Sequence, residues 1–185
     1  MDQDLLKEKE KEVLQGLQQI FDLTGYLTEW SDQEENGMTD ILRAEHPEVG
    51  KHGDEVLGEY YFLPALTKEV DVMNLVISMT LTDSLRVEAV ERIRFAITKI
   101  NAILPFGAFV LDGTEEILSY RYVTVCFAQD DVEMMIRKAS YLIALALQLT
   151  ALWIDPLLDL ESGRLSETEF IKGFSQYDME TMQEE

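Results

Sequence analysis

The segment PFGAFVLDGTEEILSYRYVTV, from Pro105 to Val125, decides the class of fold. It contains two runs of aliphatic and aromatic residues, the first over 106–111 and the second starting at 117 and continuing to 127. Between them lies Asp112-Gly113, a strong signal for a β-hairpin, because glycine accepts positive φ and aspartate can hydrogen-bond its own backbone. The segment therefore predicts two antiparallel strands joined by a tight, solvent-facing turn.

The carboxylates of this turn, Asp112, Glu115 and Glu116, allow a second interpretation as a catalytic or metal-binding cluster. A general acid and base pair, however, needs a cleft that shifts one pKa upward. A calcium loop needs more oxygen ligands at alternate positions than this short segment offers. We therefore interpret the three carboxylates as exposed turn residues.

Strand and helix patterns alternate on both sides of the hairpin. The segments 55–64 and 70–81 have strand patterns. The second alternates so that one set of residues faces the core: Met73, Leu75, Ile77, Met79 and Leu81. Spacings of three and four predict a helix over 83–104, and a capping signal at Asp130 starts a longer helix that we expect to end at Asp155-Pro156. Paired strands with helices between them predict an α+β fold with an antiparallel sheet of about four to five strands flanked by helices.

Four regions follow from these patterns. They are an N-terminal helix over 1–25, an acidic loop over 26–55, the α+β core over 56–154 and a C-terminal extension over 155–185. The loop assignment depends on a high content of Glu, Asp, Gly and Asn without sustained periodicity, and we expect one short helical turn near Met38–Ala44. In the extension, Ser166 and Glu169 form a capping box that predicts the start of a short helix.

Net charge distinguishes this chain from an average globular protein. It has 15 Lys and Arg residues against 36 Asp and Glu, a formal charge of −21. Such a charge repels phosphate backbones and anionic lipid headgroups within about a Debye length, so nucleic acid and membrane surfaces are poor partners, whereas a basic protein segment suits it. The charged N-terminus lacks the apolar stretch of a signal peptide, and we expect the protein in the cytoplasm.

Metal binding is the alternative function that the sequence leaves open. His46, His52 and Asp54 lie in the segment EHPEVGKHGDE, and such a set could serve a metal-dependent hydrolase or a metal-binding protein. The spacing of the histidines matches neither a one-turn helical pair nor a zinc finger, which favours a solvated loop. Phosphate-binding glycine loops and nucleophile elbows are absent from the sequence, so we predict a protein without catalytic residues or a cofactor.

Two predicted elements carry more apolar residues than one core-facing side can bury. The third predicted helix contains YLIALALQLTALWI, residues 141–154, which is shorter than the roughly 20 residues that span a bilayer. A helix that is apolar all round must be covered all round, and the strand 117–127 is apolar on both faces. We expect a second subunit or a partner protein to cover one side through these residues: Tyr120, Tyr122, Leu142, Leu145, Leu149 and Trp153.

The segment ERIRFAITKINAILPFGAFVLDGTEEILSYRYVTV, residues 91–125, resembles the bacterial sensory transduction regulator family, which shares the fold of the type III secretion chaperones. The similarity is one of pattern: a helix that ends in Asn101, the PFGAFVLD strand, a hairpin, an amphiphilic strand, an acidic helix start and a long apolar helix. It covers about residues 56–154. The resemblance implies an antiparallel sheet flanked by helices, dimerisation, and action by binding other proteins rather than by catalysis.

Together these features predict a non-catalytic, acidic protein-binding module, chaperone-like or regulatory, that acts as a homodimer. Its charge would steer basic segments of a partner towards it, and apolar grooves would hold them. We expect the dimer to form through the second predicted helix and the adjacent strand, or through the third helix.

Overall fold

The computed structural model describes residues 3–32, 39–64, 72–114 and 116–181, and the side chains of residue 3 and of 175–181 lie outside this description. In chain order the elements are α1 (Gln3–Thr24), β1 (Leu27–Ser31), β2 (Ile41–Val49), β3 (Asp54–Leu63), β4 (Val72–Thr82), α2 (Val90–Asn101), β5 (Ala108–Leu111), β6 (Leu118–Phe127), α3 (Val132–Ser162) and α4 (Glu167–Thr181). A 3-10 turn, Val87–Ala89, precedes α2.

The six strands form one antiparallel sheet in the order β1-β2-β3-β4-β6-β5. This confirms the predicted α+β fold, with more strands than the expected four to five. Helices α1, α2 and α3 pack on one side of the sheet, which we call the inner face, and α4 packs on α2 and α3. On β4 the inner face consists of the residues predicted to face the core, all of them buried: Met73, Leu75, Ile77, Met79 and Leu81. We call the opposite side the outer face.

The described residues of the stretch 26–55, which exclude 33–38, contain β1, β2 and the start of β3, so the prediction of an acidic loop is wrong for them. Along β2, Leu42 and Ala44 turn inward and are buried, while Arg43 between them turns outward. The strand pattern is hard to recognise because outward positions such as Arg43 are charged. The expected helical turn near Met38–Ala44 is also wrong for residues 41–44, which belong to β2, and Met38 lies outside the described residues.

Helix α3 starts one residue later than predicted and continues past Pro156 to Ser162. The Asp131 side chain, rather than that of Asp130, accepts hydrogen bonds from the N–H groups of Glu133 and Met134. Proline removes one helical hydrogen bond, but the following turns bury Leu157 and Leu160, which offsets this loss. Helix α3 is long and apolar enough to cross a membrane. The core helices of soluble proteins often have the same length and composition, so this is weak evidence for a membrane span.

Helix α2 is shorter than the predicted 83–104. Leu85 is buried and donates its N–H to the Glu116 carbonyl at 2.8 Å, which keeps the preceding residues extended, so the helix begins only at Val90. The start of α4 agrees with the predicted capping box. Ser166 Oγ lies 2.6 Å from Glu169 Oε2, and the Ser166 N–H donates to the same oxygen at 2.9 Å.

Candidate protein-binding surface

The outer face of β6 exposes three apolar side chains. Val123 is 42% exposed, Val125 53% and Phe127 50%. They form one row because alternate residues of a strand share a face. The register places Val76 of β4 beside Val123, and Tyr61 of β3 beside Val76, so the row continues across the sheet. Val76 itself is 0% exposed, so the accessible surface consists of its neighbours. We call Tyr61, Val123, Val125 and Phe127 the apolar patch.

The part of the outer face over β1, β2 and β3 is charged. Arg43 of β2 lies between Glu29 of β1, at 3.8 Å, and Glu59 of β3, at 3.0 Å. Arg121 of β6 lies in the same row and donates from Nη2 to the Tyr61 hydroxyl at 3.1 Å, where the row meets the apolar patch. The outer face is therefore divided into a charged half and an apolar half.

Strand β5 covers only part of the free side of β6. It pairs residues 108–111 with residues 121–118, and no strand among the described residues lies beside 122–127 on that side. The chain turns away at Gly107, which has φ of 68° and approaches the Tyr120 hydroxyl so closely that a Cβ atom would collide with it. We call residues 122–127 of β6 on this side the open edge.

A cleft of about 170 Å³ lies between the open edge and α3. The residues that line it include Thr124, Cys126, Met135, Ala139 and Leu142. An ion pair of 3.0 Å between Lys138 and Asp130 also belongs to its wall. Burial raises the pKa of the Cys126 thiol, so it is an unreactive apolar lining group.

The six residues predicted to form an interface lie in different environments. Tyr120 is 0% exposed, with its hydroxyl donating to the Phe106 carbonyl at 2.9 Å, and Trp153 is 5% exposed. These two belong to the core and are inaccessible to a partner. Tyr122, on the inner face of β6, is half-buried. Three leucines of α3 are also half-buried: Leu142, Leu145 and Leu149.

The sequence prediction selected the inner face of β6, whereas the exposed apolar residues of this strand lie on its outer face. Both faces of this strand are apolar, and only the packing of the helices decides which of them is covered. One signal in the sequence was available: Arg121 shares a face with Val123 and Val125, and arginine is almost never fully buried without a partner.

His46, one of the predicted metal ligands, is buried on the inner face. Its imidazole is 1% exposed and packs edge-on against Phe21 and Tyr26, and Nε2 lies 2.7 Å from the Tyr60 hydroxyl. Burial lowers the pKa of His46 to about 4, so the ring is neutral at physiological pH. Gly58 is required beneath this pair, because a Cβ atom there would overlap the Tyr60 side chain.

His52 and Asp54 lie elsewhere on the β2–β3 hairpin. The backbone N–H groups of Lys51 and His52 both donate to the Asp155 carboxylate at 2.8 Å, and His52 Nε2 is 3.4 Å from Asp159 Oδ2. These contacts attach the hairpin to α3. Across the described ranges, no three His, Cys, Asp or Glu side chains come together in a group that could hold a metal ion. The structure therefore gives the metal hypothesis no common site.

The connection between β5 and β6 joins two antiparallel strands as predicted. It is longer than a tight Asp-Gly turn, since β5 ends at Leu111 and β6 begins at Leu118, and Gly113 does not have a positive φ. Asp112 Oδ1 accepts from the N–H groups of Glu116 and Ile117 at 3.1 Å, and the Thr114 hydroxyl donates to Oδ2 at 2.6 Å. The Thr114 hydrogen bond and then the backbone donors hold the pKa of Asp112 below its usual value. Asp112 thus stabilises the turn as an anion. Glu115 lies outside the described residues.

No protein-family model matches the chain, and no curated protein matches it. Among solved structures, the crystal structure of an uncharacterized protein from Methanothermobacter thermautotrophicus is similar with a TM-score of 0.37 and 15% sequence identity. The similarity covers 78% of this chain and 97% of that one. At this TM-score it carries no information about family or function. The resemblance to the sensory transduction regulators stays a prediction.

Proposed function

We propose that this protein is a non-catalytic, acidic protein-binding module, chaperone-like or regulatory, that binds its partner on the apolar patch. One observation carries the proposal: Val123, Val125 and Phe127 are each about half exposed at alternate positions of β6, on the same face of the sheet. Contiguous apolar surface of this kind marks sites of protein interaction, whereas apolar residues scattered singly need no explanation.

Charge supports the same function. With a formal charge of −21, the protein attracts basic surfaces over about a Debye length, and the charged half of the outer face borders the apolar patch. Such an arrangement uses charge to speed encounter and apolar contact to hold the complex. Binding should therefore weaken with salt without being abolished by it.

Substitution of the apolar patch tests this function. We expect Val123→Ser combined with Phe127→Ser to lose partner proteins that the unchanged protein retains when it is used as bait in extracts of its native host. Leu23→Ser is the matched control, because Leu23 is 87% exposed on α1, away from the sheet face. Equal recovery of every partner by all three baits, identified by mass spectrometry, would show that the apolar patch does not bind them.

A homodimer forms part of the proposal, and the exposed side of α3 is the interface that we propose for it. Tyr141, Leu145, Leu149 and Leu152 follow one another at spacings of three and four on this helix, and Tyr141 and Leu152 are exposed. Light scattering after size exclusion should give twice the 21.2 kDa chain mass. Leu152→Glu should restore the single-chain mass, and a single-chain mass before substitution would contradict the dimer.

A further inference from the structure

The backbone of Phe109 determines which residues of β6 point towards the open edge. Asn101 Oδ1 accepts from the Phe109 N–H at 2.8 Å, and Asn101 Nδ2 donates to the Phe109 carbonyl at 2.9 Å. Because Phe109 turns both groups away from β6, the neighbouring pair Ala108–Arg121 is a hydrogen-bonded pair of the ladder. Odd-numbered residues of β6 therefore direct their N–H and C=O groups towards the β5 side, and even-numbered residues direct theirs towards β4.

The same alternation continues along the open edge. The register between β4 and β6 is regular from Tyr120 to Phe127, so no bulge reverses the order. Val123 and Val125 therefore present their N–H and C=O groups to the side where the described residues supply no strand. Phe127 presents only its N–H there, since its carbonyl accepts from the Asp130 N–H at 2.9 Å. The open edge thus offers a short, regular set of donors and acceptors to which residues 3–32, 39–64, 72–114 and 116–181 supply no ladder partner.

The open edge also lacks the protection that the other edges of this sheet have. β1 is only five residues long and carries Glu29, and β5 has its central backbone groups occupied by Asn101. The open edge has the sequence YVTVCF, without charge or proline, in a chain of which 28% is charged. Exposed strand edges normally carry charges, proline or a covering segment that prevents pairing with another chain. An unprotected edge is therefore suited to pairing.

The surfaces on both sides of the open edge could receive the side chains of an added strand. Its backbone would lie in line with β5, next to Val123 and Val125. Side chains on one side would lie beside the apolar patch, and those on the other would enter the cleft lined by Cys126, Met135 and Leu142. Alternate side chains of a strand point in opposite directions, so one extended segment would fill both.

We propose that an extended segment of a basic partner protein binds to the open edge as a seventh strand, antiparallel to β6. This inference rests on the proposed function and adds the binding mode and the class of partner. The segment would have apolar or β-branched residues at successive positions and Lys or Arg on its flanks, because the protein carries a formal charge of −21. Asp130, which Lys138 pairs with, and Asp131 lie three and four residues after the end of β6. Charge favours such a segment over a second copy of β6, whose flank has the same two aspartates.

The first test measures binding of the labelled peptide acetyl-KKVTVTVKK-amide to the full chain by fluorescence anisotropy. We expect saturable binding that weakens as salt is raised. The peptide acetyl-EEVTVTVEE-amide should bind at least about tenfold more weakly, because it has the same central residues and acidic flanks. Absence of binding by the lysine peptide, or equal affinity for the two, would overturn the inferred class of partner.

The second test addresses the backbone. Val125→Pro removes one N–H from the open edge without removing a hydrogen bond to β4, and it should weaken peptide binding at least about tenfold. Val125→Ala shortens the same side chain of the apolar patch but keeps the N–H, so Val125→Pro should weaken binding at least about threefold more than Val125→Ala does. A peptide N-methylated at all five central residues should fail to bind the unchanged protein, which tests the same bonds even if the proline variant does not fold.

Hydrogen exchange by NMR separates the outcomes. In the free protein the Val123 and Val125 amides should exchange fast and become protected with peptide, whereas the Thr124 amide is protected in both states. Peptide binding without this protection would place the peptide on the apolar patch, which overturns strand addition but leaves the proposed function intact. Protection that rises with protein concentration alone would assign the edge to a second copy. If the variant with Val123→Ser and Phe127→Ser retains the same partner proteins as the unchanged protein, the proposed function is overturned instead.

Discussion

The two faces of β6 have similar residues in different environments. Tyr120 and Cys126 turn to the inner face and are buried under the helices, whereas Val123, Val125 and Phe127 turn to the outer face and remain about half exposed. Hydrophobicity does not distinguish the two sets. The difference arises from packing, since α1, α2 and α3 all lie on the inner side. Apolar residues on the inner face stabilise the fold, and those on the outer face remain available for binding.

Alanine substitutions on the two faces should show the largest difference. Tyr120→Ala removes a fully buried ring that packs 5.3 Å from Phe109 and donates to the Phe106 carbonyl, and we expect the free energy of unfolding to fall by about 3–5 kcal/mol. Phe127→Ala should change it by less than about 1 kcal/mol. Urea unfolding measures both. Similar losses for the two variants would mean that the outer face is covered in solution.

Proline substitutions at neighbouring residues of β6 compare an N–H that points to β4 with one that points to the open edge. Thr124 pairs with Leu75 of β4, so Thr124→Pro should remove an interior ladder bond and cost about 3 kcal/mol or more. Val125→Pro should cost clearly less, because its N–H points to the open edge. The difference in urea midpoint between these neighbouring variants measures the contrast. A larger loss for Val125→Pro would show that the hydrogen-bonding order of β6 is the reverse of the one derived from Phe109.

The strands and helices that the sequence predicted well are those with local causes. The Asp112 turn, the alternation along β4 and the capping box of Ser166 and Glu169 each depend on residues within a few positions of one another. Such signals can be recognised without knowledge of the tertiary structure. They were sufficient to predict the α+β class and the antiparallel hairpin.

Most of the features that the sequence did not predict depend on contacts between distant residues. β1 and β2 are held by pairing across the sheet, and their charged outward residues conceal the alternation. The continuation of α3 past Pro156 is favoured by the burial of Leu157 and by Asp155, which binds Lys51 across 104 positions of the chain. The exposed face of β6 depends on the placement of three helices. The last two causes are not local, whereas β1 and β2 pair with their neighbours in the chain and were missed because of their charged outward residues.

The pH dependence of the free energy of unfolding tests whether His46 is buried on the inner face. Burial lowers the pKa of His46 to about 4, below its ordinary 6.5, so the unfolded chain takes up the proton first as pH falls. The free energy of unfolding should therefore decrease as pH falls from 6.5 to 4, by at most about 3 kcal/mol. Above pH 6.5 the ionisation of His46 should not change it. His46→Gln keeps a partner for Tyr60 without the titration.

The measurement is the free energy of unfolding of the unchanged protein and of His46→Gln at each pH, and the difference between the two curves from pH 6.5 to 4. Glu10 titrates in the opposite sense: burial, with a smaller contribution from Asp40, raises its pKa to about 7 against the effect of Lys7. Its cost therefore appears as pH rises from 4.5 to 7. This contribution cancels because both proteins contain Glu10. Parallel profiles for the unchanged protein and His46→Gln would show that the imidazole is accessible to water.

The smallest effect is expected in the charged half of the outer face. Arg43 contacts Glu59 at 3.0 Å and Glu29 at 3.8 Å, but these side chains are partly or largely exposed, so solvent and salt weaken the attraction. Arg43→Gln should reduce the free energy of unfolding by less than about 1 kcal/mol at low salt, and the loss should shrink as salt is raised. Urea unfolding at low and high ionic strength measures it. A loss as large as that of Tyr120→Ala, unchanged by salt, would mean that this half of the outer face is buried in an assembly, and the contrast between the two faces of the sheet would then hold only for an isolated chain.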